Sequence, residues 1–158
     1  MALIEPGTSA PAFTLPDQHG TLHTLAAYRG RPVVLFFYPK DDTSGCTKEA
    51  CGFQAALPDF SKVQAAVFGI SILDTRSKAR FAEKYSLTFP LLADEDHAVC
   101  EAYGVWQEKS MYGRKYMGIA RVSYLIDADG TVVRRWDGVK VEEHAAEVLD
   151  AVNALGTK

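Results

Sequence analysis

The sequence predicts an α/β fold, a central mixed sheet flanked by helices within a single domain over residues 1–158. Three observations carry that expectation. Pro32–Tyr38 (PVVLFFY) and Val67–Leu73 (VFGISIL) are continuous apolar runs rich in β-branched and aromatic residues, the pattern of strands buried on both faces. A helical stretch separates them, and strands joined through a helix run parallel. Near the end, Asp129-Gly130 divides Val122–Ile126 from Thr131–Trp136, a hairpin signal that adds an antiparallel edge.

In chain order, Pro11, Pro16, Gly20 and Gly30 punctuate an N-terminal extension with two short apolar runs, Ala12–Leu15 and Leu22–Leu25. The first buried strand ends at Pro39, and a polar loop, Lys40–Gly45, leads into a helix from about Cys46 to Lys62 that Pro58 is placed to kink. After the second strand, Asp74 or Thr75 caps a helix whose apolar side is Ala79, Phe81, Ala82 and Tyr85. Leu91 and Leu92 suit a short strand, and Glu95–Tyr103 a small helix stopped by Gly104. An inserted segment follows, with Met111-Tyr-Gly113, Arg114 and Lys115 as an exposed turn. Val141, Ala145, Val148, Leu149, Val152 and Leu155 recur at helical spacing, with Gly156 as C-cap. The order β-α-β-α, insertion, β-β-α is that of a thioredoxin-like fold.

Composition excludes several classes. Hydrophobic residues make up 47% and charged residues 23%, ordinary for a globular chain, and the net charge of −3 with dispersed Lys and Arg leaves no footprint for nucleic acid. Met1–Phe13 has neither a basic leader nor an export-length apolar run, and no stretch approaches the roughly 20 apolar residues of a membrane span. The cytoplasm is the expected location. There an odd set of three cysteines points away from a disulfide framework and towards catalysis or packing.

Cys46 falls where a strand has ended and a helix begins. Unpaired N–H groups and the positive end of the helix dipole collect there, and both favour thiolate over thiol. Lys40 and Lys48 add to that field, whereas Asp41 and Asp42 oppose it. Thr43 can set a hydroxyl beside the sulfur or simply cap the helix; Pro39 can shield the thiol or simply end the strand. A buried, inert cysteine is the plain alternative for Cys46 itself.

Cys51 lies five residues further on. Along an ideal helix that spacing turns about 500° and rises about 7.5 Å, so the side chains diverge by roughly 140° and the Cα atoms stand about 8.7 Å apart. A disulfide requires Cα atoms within about 7 Å. The two cysteines bond only if the first turns unwind, and so short a loop closes cheaply. Cys51 is thus either a half-buried helical residue or the partner in a two-state device. The spacing is not the C-x-x-C of a thioredoxin-like reductase; it suits a substrate of one.

The segment Pro39-Lys-Asp-Asp-Thr43-Ser-Gly-Cys46-Thr-Lys-Glu-Ala-Cys51 closely resembles the peroxiredoxins, above all their bacterioferritin-comigratory or Q-type branch. The resemblance covers nearly the whole chain, through Gly7–Phe13, Leu15–Asp17, Phe89–Asp94, Tyr103–Trp106 and Gly118–Asp127. It implies Cys46 as the peroxidatic cysteine, Thr43 as its hydroxyl partner, Pro39 as the shield, Arg121 as a distant guanidinium completing the site, and Cys51 as the resolving cysteine of an intrachain disulfide. It further implies a hydroperoxide substrate, thioredoxin or a similar dithiol as reductant, a monomer, and no metal or organic cofactor. Ser44 replaces a frequent proline and Gln54 a frequent arginine, and neither bears on the reaction type. Cys100 lies outside the motif and reads as packing.

Two other functions compete with this assignment. A thioredoxin-fold redox sensor with little turnover would use the same residues, and steady-state peroxide consumption separates it from an enzyme. A zinc site from Cys46, Cys51, His97 and Cys100 matches no usual spacing. His19, His23, His97 and His144 read as surface or cap residues, so no base is assigned.

Ionisation alone gives modest acceleration. Making a thiol fully anionic at neutral pH gains roughly thirtyfold in thiolate, and the accompanying fall in nucleophilicity returns roughly 10- to 18-fold. Donors aimed at the oxygens must supply the larger share, and one such donor is typically worth ~2.7–4 kcal/mol. Arg121→Ala and Thr43→Val are each expected to lose more rate than altered Cys46 ionisation explains. Peroxide kinetics across pH measure this; near-wild-type rates at full ionisation would remove the electrostatic role.

Overall fold

The structure, a computed structural model, describes residues 2–155. Its strands are β1 (Thr14–Pro16), β2 (Leu22–Thr24), β3 (Val33–Phe37), β4 (Ala66–Ser71), β5 (Leu91–Ala93), β6 (Trp106–Met111), β7 (Arg114–Ile119), β8 (Val122–Ile126) and β9 (Val132–Asp137). Its helices are α1 (Ser44–Lys62), α2 (Thr75–Tyr85), α3 (Ala98–Ala102) and α4 (His144–Leu155), with a 3₁₀ turn at Leu25–Tyr28.

The two apolar runs become the centre of a five-stranded sheet ordered β5-β4-β3-β8-β9. β3 pairs in parallel with β4, and β4 with β5, while β3–β8 and β8–β9 are antiparallel. Every residue of β3, β4 and β8 is buried, because helices cover one face and the N-terminal extension with α3 covers the other. On the first face Phe53 and Phe60 of α1 pack with Phe81 of α2 and Val148 and Val152 of α4. On the second, Phe13, Leu15 and Leu25 join Cys100, Tyr103 and Ile119.

Most expected elements appear with shifted ends. α1 begins at Ser44 and runs through Pro58 without a break, with that proline on its exposed side. Asp74 is the cap of α2, accepting from Ser77 N at 2.8 Å, and Gly104 ends α3 with φ +73°. Val141 precedes α4, and Gly156 lies outside the described residues. The expected turn at Met111–Gly113 is there, with Tyr112 and Gly113 both at positive φ, and it closes an unforeseen hairpin of β6 and β7. That hairpin is exposed over most of its length, so it carries no buried stripe for a periodicity reading to find.

Gly69 shows how tightly the sheet and α1 fit. A Cβ there would sit 2.7 Å from Phe36 Cζ, and the Phe36 ring cannot yield because it is stacked on Phe53 with centroids 4.6 Å apart. Gly69→Ala is therefore expected to destabilise by about 1–3 kcal/mol in urea unfolding, the usual range for overpacking. An unchanged midpoint would show that the Phe36–Phe53 stack can shift.

Candidate active site

β3 ends beneath the start of α1, and Cys46 is the third residue of that helix, 1% exposed. Thr43, in extended conformation, is the N-cap residue, and Thr47 N bonds its carbonyl at 2.8 Å. The first N–H groups of α1 have no partner within the helix, so the sulfur sits at the positive end of the dipole, as its position in the sequence implies.

The loop carrying this turn is anchored to α2. Asp41 is buried and accepts from Lys78 Nζ at 3.2 and 3.3 Å, Ser77 Oγ at 2.7 Å and Tyr38 Oη at 2.5 Å. Lys78 is 0% exposed and also donates to Ser71 Oγ at 2.6 Å. Burial pulls the pKa of Lys78 below its ordinary value, and the Asp41 carboxylate resists that shift. Asp42, at φ 60°, accepts from Tyr85 Oη at 2.7 Å and Lys84 Nζ at 2.9 Å, and these bonds lower its pKa. The two acids expected to oppose a thiolate thus face cations of α2. A lysine four residues into a helix gives no sign that it will be buried.

Arg121 links β7 to β8 and reaches back over α1. Its Nη2 donates to Cys46 Sγ at 3.4 Å and its Nη1 to Glu49 Oε1 at 2.6 Å. The absent side chain at Gly45 lets the guanidinium come so close, for a Cβ there would lie 3.2 Å from Nη2. Glu49 is 1% exposed and its Oε2 has no hydrogen-bond partner. Burial pushes the pKa of Glu49 up to about 7 against the opposing pull of Arg121. Burial prevails because the carboxyl group is almost fully enclosed and Arg121 pairs with just one of its oxygens. Glu49 was absent from the sequence reading; its place three residues beyond Cys46, on the same helical face, was the available signal.

The remaining sequence-predicted residues distribute as follows. Pro39 is half-buried, two residues beyond the end of β3. Thr43 is beside the site, yet its hydroxyl donates to Lys40 O at 3.0 Å, and no hydrogen bond joins it to Cys46. Cys51 is half-buried on the continuous helix, and all three cysteines are free. Cys100 is buried in the second core with its pKa pushed up by burial, in keeping with packing. Two histidines depart from their surface-or-cap reading. His144 is 0% exposed, and its ring bonds Ser123 Oγ at 2.7 Å and Glu147 Oε1 at 2.8 Å. His23 is half-buried between Asp17 Oδ2 at 2.7 Å and Tyr28 Oη at 2.8 Å. Among the described residues no group of three or more His, Cys, Asp or Glu is arranged to hold a metal ion.

Comparison with known proteins adds an independent line. The model of the AhpC/TSA family matches residues 6–135. The chain is 46% identical over 147 residues to peroxiredoxin Bcp of Escherichia coli, covering 93% of this chain and 94% of that protein. It is 41% identical over 155 residues to peroxiredoxin Bcp of Bacillus subtilis, covering 98% and 99%. Among solved structures, a cysteine-to-serine mutant of Xylella fastidiosa PrxQ superposes with a TM-score of 0.93 at 35% identity, covering 99% of each chain. The bacterioferritin comigratory protein of Xanthomonas campestris, described for alkyl peroxide reduction, does so at 0.90 with 39% identity, covering 97% of this chain and 100% of that one.

Glu49 makes stability depend on pH with a definite sign. Its carboxyl group binds a proton more tightly folded than unfolded, where the value is 4.5. The resulting stabilisation is complete below the unfolded value and is lost as pH rises to about 7. Glu49→Gln keeps the shape and an acceptor without the charge. Relative to this variant, the wild type is expected to lose up to about 3 kcal/mol of unfolding free energy between pH 4.5 and 7.5. Urea unfolding at the two pH values tests this, and parallel stabilities would place Glu49 in the ordinary carboxylate range.

Proposed function

The chain belongs to the AhpC/TSA family as a peroxiredoxin, a thiol peroxidase, and we propose that its reaction runs through Cys46 as attacking sulfur and Cys51 as resolving sulfur. Its substrates are hydroperoxides and its electrons come from a thiol reductant. The observation that carries the residue assignment is the Arg121–Cys46 contact at 3.4 Å at the start of α1.

The Cys46 thiolate attacks the terminal oxygen of the hydroperoxide. The S–O bond forms as the O–O bond breaks, leaving a sulfenic acid and an alkoxide or hydroxide that takes a proton from water. Arg121 and the N–H groups at the start of α1 are placed to bind the oxygens as charge moves onto the leaving one. The Thr43 hydroxyl, turned to Lys40 O in this state, joins them by rotating about χ1. Pro39, without an N–H, keeps that side of the sulfur free of a competing donor.

Resolution requires α1 to open. Once its first turns unwind, the Cys51 thiol attacks the Cys46 sulfenic acid, forming the S–S bond and releasing water. A dithiol reductant, thioredoxin or a protein like it, then takes the disulfide and is itself oxidised. Two features bound the unwinding. Asp41 and Asp42 tie the loop before Cys46 to α2, and Gln54, one turn beyond Cys51, exchanges hydrogen bonds with Thr88 at 2.8 and 2.9 Å. Alkyl peroxide reduction by the Xanthomonas relative supports organic hydroperoxides, beside hydrogen peroxide, as substrates. A single-domain monomer acting in the cytoplasm completes the proposal; among the described residues no helix is long and apolar enough to cross a membrane.

Cys46→Ser is expected to abolish hydrogen peroxide consumption. After one equivalent of peroxide, intact-mass analysis and peptide mapping of the wild type should show one Cys46–Cys51 disulfide, and Cys51→Ser should stop at the sulfenic acid. A bond from Cys46 to Cys100, or between chains, would overturn the role given to Cys51.

A further inference from the structure

Beneath Cys46 lies a polar chain that the peroxidase reaction as described does not use. Glu49 offers an unpartnered oxygen, Oε2, in the interior, and His144 Nε2 stands 3.9 Å from it. The same nitrogen is 2.7 Å from Ser123 Oγ, while Nδ1 is 2.8 Å from Glu147 Oε1. His144 is enclosed by the rings of Phe53 and Trp136, with centroids at 5.6 and 5.8 Å. Glu147, at the other end, has a side chain 48% exposed. One imidazole therefore spans the distance between a sealed carboxyl group and a carboxylate in contact with water.

We propose that His144 is a positioning residue of the peroxidase centre, which passes a proton between Glu49 and Glu147 and so sets whether Arg121 is held by a neutral or an ionised carboxyl group. This rests on the assignment of Cys46 and Arg121 above.

Burial holds the His144 pKa below its ordinary value, so the ring is neutral and exists as one of two tautomers. With Glu147 ionised, Nδ1 carries the proton and donates to it, and Nε2 accepts from Ser123. Glu49 gives up its proton by closing the gap to Nε2. The Oε2–H bond breaks as Nε2–H forms, Nδ1–H passes to Glu147 Oε1, and Glu147 releases a proton to water. One proton enters the ring and one leaves, no electron moves, and the reverse sequence restores the starting tautomer.

The consequence falls on Arg121. Beside a neutral Glu49 the guanidinium charge is available to Cys46 and to the departing oxygen; beside an ionised Glu49 it is shared. The charged and titratable groups around this pair are Cys46 from α1, Arg121 from the β7–β8 link, Lys109 from β6, which acts on Arg121, and Glu147 from α4. Ser123 of β8 and Trp136 of β9 complete the enclosure without charge. Peroxide attack should then decline as pH rises through the Glu49 titration near 7.

Reduced, full-length protein with ¹³C-labelled glutamate tests this by NMR of the Glu49 carboxyl carbon, beside stopped-flow hydrogen peroxide kinetics over the same pH range. Wild type should show an inflection near 7 in both readouts, and Glu49→Gln should lose it from the kinetics. His144→Phe keeps a ring in the same packing but removes the donor to ionised Glu49, and should raise the inflection by about one unit or more. Glu147→Gln should lower it, because an amide can donate to the bare Nδ1 that ionisation of Glu49 leaves behind. This second variant lies at the surface and carries the test should His144→Phe fail to fold. A Glu49 carbon that titrates as an exposed carboxylate does, or that neither substitution moves, overturns the proposal while leaving the peroxidase reading intact. Undiminished peroxide consumption by Cys46→Ser, with the NMR shifts as described, would instead sink the peroxidase assignment and with it the role given to the relay.

Discussion

A single guanidinium, shared between a sulfur and a buried carboxyl group, is the constraint around which the rest of this molecule is organised. Arg121 lies 3.4 Å from Cys46 Sγ and 2.6 Å from Glu49 Oε1; the two acids are buried and the guanidinium is half-buried. In a medium of low dielectric a lone thiolate would be expensive, and so would a lone carboxylate. Among the described residues Arg121 is the one side chain that donates a hydrogen bond to both groups. With its pKa pushed up by burial, Glu49 competes less strongly for the positive charge of Arg121.

Such a site requires two elements distant in sequence, α1 and the β7–β8 link, to hold their places. The antiparallel register supplies the first constraint, since Phe37 at the end of β3 pairs with Val122 at the start of β8. The residue before Val122 is Arg121, and the residues after Phe37 lead directly into the loop of Cys46. The buried Asp41–Lys78 pair supplies the second. Removing one partner from such a pair costs about 3–5 kcal/mol, because the other is left charged and unsatisfied. It acts as a lock on loop geometry more than as a source of stability.

The legible parts of the fold were those governed by burial on both faces or by turn chemistry. Pro32–Tyr38 and Val67–Leu73 could only be interior strands, and Asp129-Gly130 only a turn. β6 and β7 were not legible, because WQEKSM and RKYMGI bury little on either face and so carry no period. Within the site, the place of Cys46 between strand and helix left an inert cysteine open, and its proposed role, like that of Arg121, came through resemblance to a family. Glu49 had only its place three residues beyond Cys46 as a signal, and Lys78 and His144 had none. Their side chains are of the kinds that usually face water, and what buries them is the meeting of α1, α2 and α4 with the sheet, a tertiary event with no local signature.

The conflict between holding Cys46 and releasing it is settled by the charge the reaction consumes. While the sulfur is an anion, its bond to Arg121 is charge-assisted and helps to hold the first turns of α1. A sulfenic acid is neutral, so in the proposed cycle oxidation itself removes that contribution at the moment Cys51 must approach. The anchors at Asp41 and Asp42 and the Gln54–Thr88 clamp are untouched by the change, because none of them contacts the sulfur. The proposed unwinding is thereby confined to the short stretch between them, where closing the loop costs little entropy. In the same proposed cycle, reduction of the disulfide returns Cys46 to the state that bonds Arg121 and winds the helix back.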